Sequence, residues 1–140
     1  MNNASATVLT ALIAWALVLL IMMEVARSRL VMSGAVASNE FRPDNSNLSP
    51  FMQRLSRAFA NCVEGLPIFG GLLVVALLTD RTSITDPLAP WLLAARIVQS
   101  SIHLASLSVM AVNLRFAAFA VQLVIAVYWA ACLLISSSGN

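Results

Sequence analysis

Charge is what this 140-residue chain has least of: 10% of its residues are Asp, Glu, Lys or Arg, and lysine is absent altogether. A soluble domain carries about 25% charged residues, so an ordinary soluble fold is excluded. The eight basic residues are all arginines, scattered along the chain for a net charge of +2, too dilute for a nucleic-acid footprint. One histidine, His103, and two cysteines, Cys62 and Cys132, with no HxxxH or CxxC pair, leave no metal site legible. Both cysteines fall in apolar stretches and read as free thiols acting as small hydrophobes rather than as a disulfide. Glycine is scarce, and no phosphate-cradling glycine loop, internal repeat or Ser-His-Asp arrangement is present.

What fills the chain instead is apolar: 60% of residues are hydrophobic and the mean hydropathy is +0.88. A bilayer crossing needs about 20 mostly apolar residues, and four such windows fit with almost nothing left over. The expected architecture is an all-α membrane protein, one domain of four transmembrane helices at about 7–27, 50–79, 87–109 and 114–136. The first window has no basic run before it and no small-x-small cleavage site after it, so it reads as a retained helix and not a signal peptide. The one long connection, about 30–48, is rich in Asn and Ser. Ser49-Pro50 reads as an N-cap followed by proline at the first helical position, and Pro67 is expected to kink the second helix. Gly65, Gly70, Gly71 and the pair Ala126 and Ala130 allow close helix contact. Glu24 and Arg27, three apart, can pair on one face. Arg27, Arg29, Arg42, Arg54 and Arg57 border the first connection and Arg115 the third, against Arg81 alone in the second. The positive-inside rule then puts the first and third connections in the cytoplasm and both termini outside.

One stretch is too polar to be membrane filler. Arg54, Arg57, Asn61 and Glu64 fall within a stripe roughly 80° wide on the second helix, and ionisable groups at membrane depth face a bundle interior or a wet cavity. Two guanidinium groups suit carboxylates, Glu64 suits an ammonium group, and Asn61 serves either. With Arg115 they form a set for a zwitterion carrying two carboxylates, and a guanidinium beside a thiol on that ligand favours the thiolate. The groove between helices would dissolve a lipophilic second reactant. Arg54 and Arg57 also fit a plain role as headgroup anchors, and Glu64 a buried ion pair with Arg96. On the third helix Arg96, Gln99, Ser100 and His103 lie within about 100° of one face; His103 reads as a hydrogen-bonded interior histidine before a catalyst. A proton or ion pathway through Glu64, Arg96 and His103 is a further reading of the same groups.

The run Arg54-x-x-Arg57-Ala58-x-x-Asn61-Cys62-x-Glu64-x-x-Pro67-x-Phe69 resembles the second-helix signature of the MAPEG family, membrane-associated proteins in eicosanoid and glutathione metabolism. It is most similar to the leukotriene synthase branch, within a bacterial-type member expected in a bacterial inner membrane. The resemblance implies a homotrimer with glutathione bound at the cytoplasmic side between subunits. Arg57, Asn61 and Glu64 would contact glutathione, Arg54 would line the mouth, and Arg27 or Arg29 resembles the family's arginine at the end of the first helix. Arg96 would face Glu64. Gln99 and His103 fall on glutathione-contacting positions where the family carries tyrosine or histidine, and Gly65 replaces a further tyrosine. Arg115 loosely matches the thiol-activating arginine. The implied activity is a glutathione-dependent transferase or peroxidase acting on a lipophilic electrophile or lipid hydroperoxide. The alternative is a non-catalytic member that binds lipid or stabilises a membrane complex.

Overall fold

A computed structural model describes residues 3–137, all helix and connection with no strand among them. Four long helices, α1 (Ala4–Met32), α2 (Pro50–Leu78), α4 (Ala89–Ala105) and α5 (Val109–Ser137), are joined with a single turn, α3 (Thr82–Thr85). By length and composition α1, α2 and α5 are able to cross a membrane. At 29 residues each they reach about 43 Å, well beyond a 30 Å hydrocarbon slab. α4 has 17 residues, or about 25 Å.

The ends of the helices follow from short polar side chains. Asn3 accepts the Ala6 amide at 3.1 Å, so α1 begins three residues earlier than the hydropathy window suggests and continues to Met32. Ser49 accepts the Met52 amide and Pro50 occupies the first turn of α2, as the Ser-Pro pair anticipates. α2 continues through Pro67, which has no N–H to offer the carbonyl one turn back. The third and fourth helices differ from expectation: α4 stops at Ala105 and α5 starts at Val109, so the break falls at Ser106–Ser108 and not at 110–113. The cause is capping. Ser106 is extended (φ −156°, ψ 153°), its Oγ accepts the Ser108 amide at 3.1 Å, and Ser108 Oγ accepts the Ala111 amide at 3.2 Å. Those bonds satisfy amides that a continuous helix would have used.

α1 packs on α2 and α4 on α5, with α2 also against α4. Two apolar clusters result. One gathers Leu12, Phe69, Leu73, Leu92, Ile125 and Trp129; the other gathers Leu19, Met23, Leu55, Ala58 and Cys62. Gly70 lets Leu9 of α1 approach to 3.2 Å of where a Cβ would stand, whereas Gly71 faces open space. At the α1 start, Ser5 donates its amide to Asp86 Oδ1 at 2.8 Å, and its hydroxyl shares 2.6 Å contacts with Asp86 and Thr85. At the opposite end the 33–49 connection folds back on Asn45, which is fully buried in a left-handed conformation (φ 54°).

Candidate functional site

Between the two apolar clusters runs a polar layer centred on Arg96. This side chain is 3% exposed, which for a guanidinium demands partners. Its Nη1 donates to Asn61 Oδ1 at 2.7 Å and to the Asn61 carbonyl at 3.3 Å, and its guanidinium lies 5.1 Å from the centre of the Phe69 ring. Gly65 makes this possible: a Cβ there would collide with Arg96 Nη2 and come within 3.0 Å of Phe69. A large side chain at 65 and this Arg96 rotamer exclude each other. Around the same point Cys62 Sγ meets Ser100 Oγ at 3.2 Å, and Ser100 in turn donates to the Arg96 carbonyl. Both cysteines are free thiols.

The expected ion pair between Glu64 and Arg96 is not formed. Among the described residues Arg27 and Glu24, at 3.3 Å, make the one ion pair. Helix geometry gives the reason. Asn61 and Gly65 share the inward side of α2, while Glu64 is rotated about 60–100° from them, toward the subunit surface, where it is exposed. Glu64 instead lines a groove of about 190 Å³ with Asn61, Ile68, Arg96, Phe119 and Leu123. Arg96 Nη2 has no partner there.

Toward the 33–49 connection a second group assembles. His103, half-buried near the end of α4, lies within electrostatic range of Arg115, Arg57 and Arg54. Arg54 Nε donates to the Leu104 carbonyl at 3.0 Å, tying α2 to the last turn of α4, and its guanidinium lies 6.0 Å from the Phe51 ring. Arg57 is exposed. Because α5 begins at Val109, Arg115 sits in its second turn and not at its start; it is half-buried and its Nε has no partner. The fold thus brings Arg54, Arg57, His103 and Arg115 to one end of one face, with Asn61, Glu64 and Arg96 further in.

Three sequence-derived site candidates, Arg27, Arg29 and Gln99, fall outside this grouping. Arg27 is committed to the connection: Nε and Nη2 donate to Asn45 Oδ1 at 3.1 and 2.6 Å, Nη2 also to the Arg42 carbonyl, and Nη1 to Glu24. Asn45 Nδ2 continues the chain to the Met52 carbonyl at 2.9 Å. Arg29, the other α1 candidate, is exposed, and its side chain makes no hydrogen bond or ion pair among the described residues. Gln99 is buried and accepts from Gln122 Nε2 at 2.9 Å. Gln122, fully buried in α5, and Asn45 are the polar residues that sequence reasoning missed. A lone glutamine in the apolar run 116–135 was a signal for the first; for Asn45 the signal was an Asp-Asn-Ser cluster, where left-handed backbone is tolerated.

No curated protein and no solved structure gives a significant match to the chain. A family model does, that of the MAPEG family, over residues 5–135. With nearly the whole length matched and three helices able to cross a bilayer, this integral membrane protein belongs to the MAPEG family.

Proposed function

We propose that the chain is a glutathione-dependent transferase or peroxidase of the membrane, assembled as a homotrimer whose subunits complete the site between them. The carrying observation is the outward face of α2. Arg57 and Glu64 are exposed on the single chain, in a helix apolar enough to cross a membrane. A charge exposed to acyl chains costs about 2.5 kcal/mol or more at the centre of the bilayer. A second copy covering that face, with a charged guest in the groove, removes the conflict.

In this reading Arg57, with Arg54 at the mouth, offers guanidinium forks to the carboxylates of glutathione, and Glu64 takes its ammonium group. Asn61 Oδ1 is held by Arg96, so Asn61 contributes only its Nδ2 donor. Arg96 Nη2 is left to an acceptor atom in the groove, and Arg115, beside His103, stabilises the thiolate. The lipophilic electrophile or hydroperoxide enters from the bilayer. α4, extended by the 82–88 segment, supplies the fourth crossing. The arginine-rich end faces the cytoplasm and both termini the other side, in a bacterial inner membrane. Isothermal titration of the detergent-purified protein with millimolar glutathione tests this. Binding is expected, weakened about 1.5–3 kcal/mol by Arg57→Ala; absence of binding refutes it.

A second reading, a non-catalytic lipid-binding or complex-stabilising member, draws on the engagement of Arg27 by Asn45 and of Gln99 by Gln122. Both are groups a glutathione site would want free. Co-purified lipid, together with undetectable conjugation of a chlorinated aromatic electrophile, would favour it.

A further inference from the structure

Where α1 leaves the apolar slab and α2 begins, the two helices flank a groove of about 480 Å³ that the glutathione reading does not use. Its walls are graded. Leu30, Phe51 and Met52 make the apolar part, and Arg29, Ser33 and Ser49 the polar part. Arg29 is exposed and carries an uncompensated charge, because the neighbouring acid, Glu24, is taken by Arg27. Ser49 Oγ accepts the Met52 amide at 3.4 Å, which leaves its own proton free to donate. Ser33 Oγ donates to the Leu30 carbonyl at 3.1 Å. No acidic residue lines the groove. A cation and a free hydroxyl donor above an apolar wall, at the end of the bundle richest in arginine, match one chemistry: an anionic headgroup with acyl chains below it.

We propose that this groove binds an anionic phospholipid of the arginine-side leaflet, its phosphate on Arg29 and the Ser49 hydroxyl and its acyl chain along Leu30, Phe51 and Met52. One arginine near an anionic surface is worth about fivefold in affinity. Native mass spectrometry of the full-length protein in detergent, titrated with phosphatidylglycerol or phosphatidylcholine, reads this directly. Phosphatidylglycerol adducts are expected to be favoured by about that factor. R29Q should abolish the preference, and R81Q, at the opposite end, should leave it intact. The Arg29 side chain makes no bond within the fold, and its carbonyl still accepts the Ser33 amide in the variant, so R29Q is expected to keep its helical circular dichroism; S49A, which retains proline at the helix start, offers an independent partial loss. Equal binding of the two lipids overturns the proposal. So does a preference that survives R29Q, displacement of the lipid by inorganic phosphate alone, or a change of oligomeric state on R29Q without a change in lipid preference. The groove shares no lining residue with the one bordered by Glu64 and Arg96.

Discussion

Replacing Asn61 with alanine removes the closest partner of a guanidinium held inside the bundle. A neutral interhelical hydrogen bond in a membrane is worth only about 0.6 kcal/mol, but bonds to a charged group are worth about 1.5–3 kcal/mol. Here the larger figure governs. Arg96 is 3% exposed, its Nη2 has no partner, and without Asn61 Oδ1 it retains a 3.3 Å contact to a carbonyl and the face of Phe69. The expected loss is about 2 kcal/mol, measured by reversible unfolding in mixed detergent micelles. Glu64→Gln, which breaks no hydrogen bond or ion pair within the chain, is expected to destabilise it less than Asn61→Ala does. A cycle combining Asn61→Ala with Arg96→Met should show that the two losses are not additive, with a coupling of about 1 kcal/mol or more. If Asn61→Ala is silent while Glu64→Gln destabilises, Glu64 is the group that neutralises Arg96, and the account of Gly65 and Asn61 fails with it.

Three further outcomes follow from the same geometry. Ser5→Ala should lower stability by about 1–3 kcal/mol, because it strips the buried Thr85 hydroxyl and the Asp86 carboxylate of a partner; an unchanged unfolding midpoint would show that this end is not held as described. The Ser46 amide donates to Asp44 at 3.0 Å, and that bond holds the Asp44 carboxyl below its ordinary 3.8. A carboxyl with a depressed folded-state pKa stabilises the fold above the unfolded value and ceases to do so as pH falls through the folded one. Asp44→Asn should therefore lower stability at neutral pH, where the ionised carboxylate contributes, and converge with the wild type as pH falls below 3.8, as read from unfolding midpoints across that range. Finally, a membrane-permeant maleimide should label half-buried Cys132 before buried Cys62, whose thiol also meets Ser100; faster labelling of Cys62 would contradict its placement between α2 and α4.

How much was legible in advance differs from one polar residue to the next. The strip Arg54, Arg57, Asn61 and Glu64 was readable because side chains three and four apart on a helix must share a side. The Ser49-Pro50 start and the Glu24–Arg27 pair were readable for the same reason: they depend on residues within one turn. The break at Ser106–Ser108 was not, because three residues inside a long apolar run give hydropathy nothing to register, whereas two serine caps decide it by hydrogen bonding. Gly65 looked like a packing glycine; its use as a seat for Arg96 depends on α4 lying across α2.

Composition and periodicity alone therefore settled that this chain is helical, suited to a bilayer and polar along one strip of its second helix, since each of those properties is local to a window of twenty residues or fewer. Which partner each charge takes was decided only when the helices packed. Arg96 went to Asn61 rather than Glu64, Arg27 to Asn45 as well as Glu24, and Gln99 to Gln122. The bonds to Asn61, Asn45 and Gln122 join residues 18 to 35 positions apart, and no spacing rule within one helix carries information over that distance.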